Sequence, residues 1–116
     1  MLNKMMFSGG IVTPVIPADQ VNTVDNETGD TSISVAFKQS GVTKYHLNDV
    51  FSGHSDNVNT SAGSFDVDIN VDGGVGDNYA LSLVDVTGSA SIIATSGITT
   101  FYGCTAPMTI VIMDHI

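Results

Sequence analysis

The amino-acid sequence predicts an all-β fold, an antiparallel β-sandwich of the immunoglobulin-like or jelly-roll kind, and three observations predict it. Helix formers are scarce: one Glu (Glu27), three Lys and no Arg stand among abundant Val, Ile, Thr, Ser and Gly. Exposed helix faces are normally built from Glu, Lys, Arg and Gln, whereas sheet faces take Thr and Val. Apolar and polar residues also alternate with period two in several short runs, the period at which side chains point to opposite faces of a strand. Clusters of Gly, Ser, Asn and Asp divide those runs at intervals of roughly 8–15 residues, the spacing of strands and turns in a sandwich. With one Cys and no Trp, the Cys…Trp…Cys set of antibody-type domains is missing, which leaves the broader sandwich class.

In chain order, residues 1–9 read as an extended N-terminal segment and residues 10–116 as one sandwich domain. A chain of 116 residues buries roughly two thirds of its unfolded surface, enough to fold without a disulfide or metal. Residues 11–16 are a short apolar run broken by Pro14 and closed by Pro17. Proline removes a ladder donor, so this run belongs at a sheet edge. Residues 18–30 are polar and read as a loop ending in the turn-rich Asn26-Glu27-Thr28-Gly29-Asp30. Residues 32–38 alternate, with Ile33, Val35 and Phe37 on one face. Ser40-Gly41 turns the chain into a return strand at 42–47, and the polar stretch 48–64 reads as the longest loop.

Residues 65–71 are the strongest strand, with Phe65, Val67, Ile69 and Val71 on one face and Asp66, Asp68 and Asn70 on the other. Gly73-Gly74-Val75-Gly76-Asp77-Asn78 is a turn into a strand at 79–86. Thr87-Gly88-Ser89 is a hairpin signal leading to 90–95, and Ser96-Gly97 leads to 98–102. After a loop at 103–107, the nearly continuous apolar run 108–113 is predicted to be buried on both faces. The reading gives seven or eight strands.

A net charge of −9 excludes nucleic acid as a direct partner, because binding it requires cations that release counterions from phosphates. An anionic membrane is excluded on the same ground. The charge favours solubility and suits a cationic partner surface or divalent cations. The single Cys104 allows no intramolecular disulfide, which points to a reducing cytoplasm. The first ten residues lack the apolar run of a signal peptide, and no 18-residue apolar stretch predicts a transmembrane helix.

Of the candidate sites, Asp66-x-Asp68-x-Asn70-x-Asp72-Gly73 is the most suggestive. From Asp68 it matches the opening of an EF-hand loop, but Tyr79 stands where the closing Glu is needed. The alternation of Ile69 and Val71 makes this an acidic, solvent-facing strand. Asp66 and Asp68 would lie roughly 6.6 Å apart on one face, which keeps open a cation shared with Asp77. No cofactor is implied. Gly53-His54-Ser55-Asp56, with His46 nearby in sequence, offers neither a triad converging from separate elements nor a third metal ligand, so these read as loop residues. Cys104 has no neighbouring cation to favour a thiolate and reads as a small buried residue. Gly73-Gly74-Val75-Gly76 leads into a strand, so it does not cradle phosphate at a helix start. With no nucleophile beside a base, enzymatic activity is not expected. The tail residues Lys4, Met5, Met6 and Phe7, attached through Gly9-Gly10, are the candidate partner-binding residues. They either fold back as an edge strand or dock on a neighbouring subunit by strand addition.

The Met-rich start Met1-Leu2-Asn3-Lys4-Met5-Met6-Phe7, the absence of Arg and the Gly/Ser/Thr/Asn/Val-rich strands resemble accessory virion proteins of tailed bacteriophages. These are capsid decoration or cement proteins and small β-sandwich head or tail appendages. The likeness is one of whole-chain style and transfers no functional residue. It implies a non-enzymatic structural protein, made in the host cytoplasm and mounted on the virion. Its partner would be the major capsid protein or another virion protein, with homo-oligomers also open. The alternative is a receptor- or carbohydrate-binding appendage domain, with its site in loops 18–30 and 48–64 and Tyr45, Tyr79 or Tyr102 as stacking platforms.

Overall fold

Period-two alternation of β-branched and aromatic residues builds nine strands and no helix among the residues described by the computed structural model, 19–74 and 76–115. The expected edge strand at 11–16 and the tail residues Lys4 to Phe7 lie outside the described residues. The strands are β1 (Gln20–Glu27), β2 (Ser32–Gln39), β3 (Val42–Val50), β4 (Ser55–Thr60), β5 (Gly63–Asp72), β6 (Asn78–Asp85), β7 (Gly88–Thr95), β8 (Gly97–Ala106) and β9 (Thr109–His115). They form a five-stranded sheet in the order β4-β1-β9-β6-β7 and a four-stranded sheet in the order β3-β2-β5-β8. Neighbours pair antiparallel except β1 and β9, which run parallel. The predicted β-sandwich is therefore the observed architecture.

The core lies between the sheets. Val24, Leu81, Ile110 and Ile112 enter it from the five-stranded sheet, and Ile33, Val35, Val67 and Ile69 from the other, all fully buried. Phe37 and Tyr45 each meet the Phe65 ring edge-on, at 6.0 and 5.9 Å between centroids. Such pairs contribute about 0.5–1.5 kcal/mol beyond the area they bury.

Four sequence expectations need correction. Residues 18–30 are largely strand, not loop: β1 is an internal strand whose inward positions are Asn22, Val24 and Asn26. Both asparagines are 0% exposed, and a buried polar group persists only when hydrogen-bonded. The Asn22 amide donates to Thr60 Oγ1 (2.9 Å) and the Val58 carbonyl (3.1 Å), and its Oδ1 accepts from the Met108 N–H (2.9 Å). Asn26 donates to the Thr31 and Val50 carbonyls, both at 2.8 Å, while its Oδ1 accepts from the Thr28 N–H (3.0 Å) and hydroxyl (2.5 Å).

The second correction concerns residues 48–64, which contain the end of β3, all of β4 and the start of β5. β4 is polar because, among the described residues, it is an edge strand with a partner on one side only. Third, the expected loop at 103–107 is mostly β8, which continues to Ala106 through a bulge opposite Asp66. Gly103 takes φ of 65° there, a left-handed conformation that glycine adopts at little cost. Fourth, β9 is buried on one face only. Ile110 and Ile112 point inward, but Met113 is 47% exposed because, among the described residues, no layer covers the outer face of its sheet.

Candidate functional site: an uncharged pair of sheet edges

A sandwich has two sides where sheet edges lie open, and here they differ in chemistry. One side pairs the edges β3 and β4. β3 carries Lys44, His46 and Asp49, and its register with β2 shifts twice. β4 is six residues long and carries Asp56. Charge, irregularity and shortness are the usual means of keeping an open edge from pairing with another chain. The other side pairs β7 and β8, and neither strand contains a charged residue, a histidine or a proline. β7 keeps an unbroken register with β6 over its full length. A long, uncharged edge is a template for strand addition; here β7 is regular, and β8 is regular on either side of its one bulge at Tyr102-Gly103.

The two sheets are also unequal. β7 extends the five-stranded sheet past β8, so its inward side chains face no strand among the described residues. Ala90 and Ile92 lie opposite Leu83 and Leu81 of β6, both buried, yet Ala90 is exposed and Ile92 is 45% exposed. A cleft of about 420 Å³ results, with Leu83, Phe101 and Cys104 toward the core and Ala90, Ile92 and Tyr102 along its walls. Outside it, Ile93, Val84, Val86 and Ile98 are exposed, and Tyr102 on its wall is 79% exposed. Scattered apolar residues are ordinary on a surface; these lie beside the β7 and β8 edges, on the outer faces of both sheets.

Asp85 closes one end of this cleft. Its Oδ1 accepts from the Thr87 hydroxyl (2.6 Å) and N–H (2.8 Å) and the Gly88 N–H (3.1 Å), and its Oδ2 accepts from the Thr105 N–H (2.7 Å). One carboxylate thus fixes the β6–β7 turn to β8. These donors, the Thr105 amide foremost, hold the carboxyl below its ordinary pKa. Cys104 has the opposite shift. Burial, then the negative charges of Asp85 and Asp66, push its thiol up to about 11. At neutral pH the sulfur is a protonated thiol and a poor nucleophile.

The acidic candidates have separate partners. Asp66 Oδ1 accepts from the Gly103 N–H at 3.0 Å and so belongs to the β8 bulge. Asp68 accepts from the Thr100 hydroxyl (2.6 Å) and from Lys38 Nζ (3.3 Å). Asp66 and Asp68 share the outward face of β5, but Asp77 sits in the β5–β6 connection past that strand's other end. No three His, Cys, Asp or Glu side chains come together as a metal-holding group among the described residues. His54 packs its ring edge-on against Phe51, at 6.4 Å, in the β3–β4 connection, while His46 is exposed on β3. The three tyrosines differ. The Tyr45 hydroxyl accepts from the Ser61 N–H (3.1 Å), Tyr79 is buried, and Tyr102 projects into solvent.

The β7/β8 side was missed in the sequence reading, although a signal for it was present. Residues 86–113 contain no charged side chain. Periodicity identified strands within this run but could not show that two of them were edges on the same side. No protein-family model, curated protein or solved structure matches the chain.

Proposed function

We propose that this chain is a non-enzymatic structural protein of a virion, mounted on a capsid or tail lattice through protein–protein contacts at its β7/β8 side. The observation that carries this reading is the asymmetry of the two open sides: β3/β4 carries Lys44, His46, Asp49 and Asp56, whereas β7/β8 is uncharged and bordered by exposed Ile, Val and Tyr. An exposed edge of that kind is a liability in a protein that works alone, and it suits one that is covered in use. The net charge of −9 keeps unassembled copies soluble and apart. The resemblance in sequence style to phage accessory proteins supplies the virion setting.

Co-sedimentation of the full-length chain with purified virions lacking it tests this. Saturable binding is expected, weakened about tenfold or more by Ile93→Lys or Tyr102→Lys, since each places an unpaired charge in an apolar contact. Absence of binding, or binding indifferent to both substitutions, would refute the reading. Glycan binding that is lost with Tyr102 would support the receptor-binding alternative instead.

A further inference from the structure

The cleft between β7 and β8 is one strand wide. Adjacent strands stand about 4.8 Å apart, and β7 is the single strand by which one sheet exceeds the other. A segment seated there would continue the sheet beyond β8, pair with the open backbone edge of β8, and cover Ala90 and Ile92. The four hydrogen bonds to Asp85 occupy the carboxylate nearest the cleft, and the remaining lining residues are uncharged. The fitting occupant is extended and uncharged, with apolar side chains where it meets Leu83, Ile92 and Phe101.

This chain contains such a segment. Residues 5–18 carry no charge, and within them residues 11–16 read Ile-Val-Thr-Pro-Val-Ile. In a strand, successive residues turn their N–H groups to alternate sides. If Ile11, Thr13 and Val15 pair with β8, Pro14 faces the unpaired side, where its missing N–H costs nothing, and Pro17 falls on the pairing side and ends the ladder.

Reach and direction favour a neighbour's segment over the chain's own. The row Thr23, Thr109, Val84, Ser89 joins β1 to β7 across three strand spacings, about 14 Å. The four steps from Ile16 to Gln20 extend at most about 14 Å. A copy's own run would reach the cleft only with every linking residue fully extended. It would also run parallel to β8, because β8 leads toward the end of the sandwich where β1 begins. A second copy has neither restriction and can pair antiparallel, the slightly more stable ladder.

Resting on the assembly reading above, we propose that the β7/β8 cleft receives residues 11–16 of a second copy of this chain as an added strand on β8. Each copy then both gives and receives a strand, a head-to-tail contact that propagates into rings or open chains. Copies of net charge −9 repel one another, so association strengthens as salt is raised.

Full-length protein and light scattering across a concentration series test the proposal with two blocked variants. Val15→Asp disables the donor segment. Ile92→Asp disables the cleft, with Ala90→Asp as a second choice at an already exposed position, and circular dichroism confirms the fold of each. The unmodified chain is expected to form oligomers that grow with concentration, and each variant alone to remain at the monomer mass of 12.1 kDa. An equimolar mixture should reach twice that mass and stop, because only one intact donor and one intact cleft remain per pair. A monomeric unmodified chain, a mixture that stays monomeric, or oligomers that survive either substitution would overturn it. Virion co-sedimentation is a separate readout: it survives if only strand exchange is wrong, and fails alone if only the virion setting is wrong.

Discussion

Replacing Asn26 by Ala should be among the most damaging single changes in this domain, although the residue is polar and was read from sequence as part of a loop. The side chain is 0% exposed and makes four hydrogen bonds that join β1, the β1–β2 connection and the end of β3. Its loss strips a bond from the Val50 carbonyl and from the Thr28 N–H, while the Thr31 carbonyl keeps the Thr28 hydroxyl at 3.3 Å. A buried group left unpaired costs about 1–3 kcal/mol, so two such groups plus a small cavity come to about 3–4 kcal/mol. Domain stabilities are about 5–15 kcal/mol, and at roughly 4 °C per kcal/mol for a domain of this size the melting temperature should fall by about 12–16 °C. Calorimetry with urea unfolding measures this, and Asn59→Ala on exposed β4 serves as a control expected to change stability by less than about 0.5 kcal/mol. An Asn26→Ala loss no larger than that control would refute the reasoning. Asn26→Asp adds a check on sign. A buried carboxylate facing two carbonyls has a folded pKa above its unfolded one, so its deficit should widen as pH rises and narrow below about pH 4.

Other consequences follow from the same geometry. Asp85→Ala should lower the melting temperature at neutral pH by releasing the β6–β7 turn from β8. Because the folded pKa of Asp85 is depressed, its contribution is present above the ordinary value of 3.8 and lost as pH falls through the folded value, so parent and variant melting curves should converge in acid. Cys104, with its thiol pushed up to about 11, should react with iodoacetamide far more slowly at pH 8 when folded than after denaturation; equal rates would contradict its burial. Ile110→Ala, at a fully buried position of β9, should cost about 2–5 kcal/mol by urea unfolding.

What could be read from the sequence depended on what each strand faces. β2, β5 and β6 have one face in the core and one toward solvent, so their alternation was visible and their positions were recovered within a few residues. β1 was hidden because two of its three buried inward positions are Asn22 and Asn26, whose burial is made possible by partners distant in sequence, such as Thr60, Met108 and Val50. β4 was hidden because an edge strand can be polar on both faces. β9 was read as doubly buried because its outer face carries Val111 and Met113, and hydrophobicity alone does not reveal that no layer among the described residues lies above it. Asp66 and Asp68 were correctly placed on a polar outward face, but their hydrogen bonds to β8 depended on a strand order that no local pattern encodes. The β7/β8 side was obscured for the same reason.

Hydrogen–deuterium exchange of the full-length chain, alone at high dilution and then bound to virions, tests the central claim most directly. The edge amides of β7 and β8, unpaired among the described residues, should exchange quickly in the isolated chain and slow sharply on binding, while β3 and β4 remain unchanged. Protection on β3 and β4 with β7 and β8 unaffected would contradict the assignment of the β7/β8 side as the contact face.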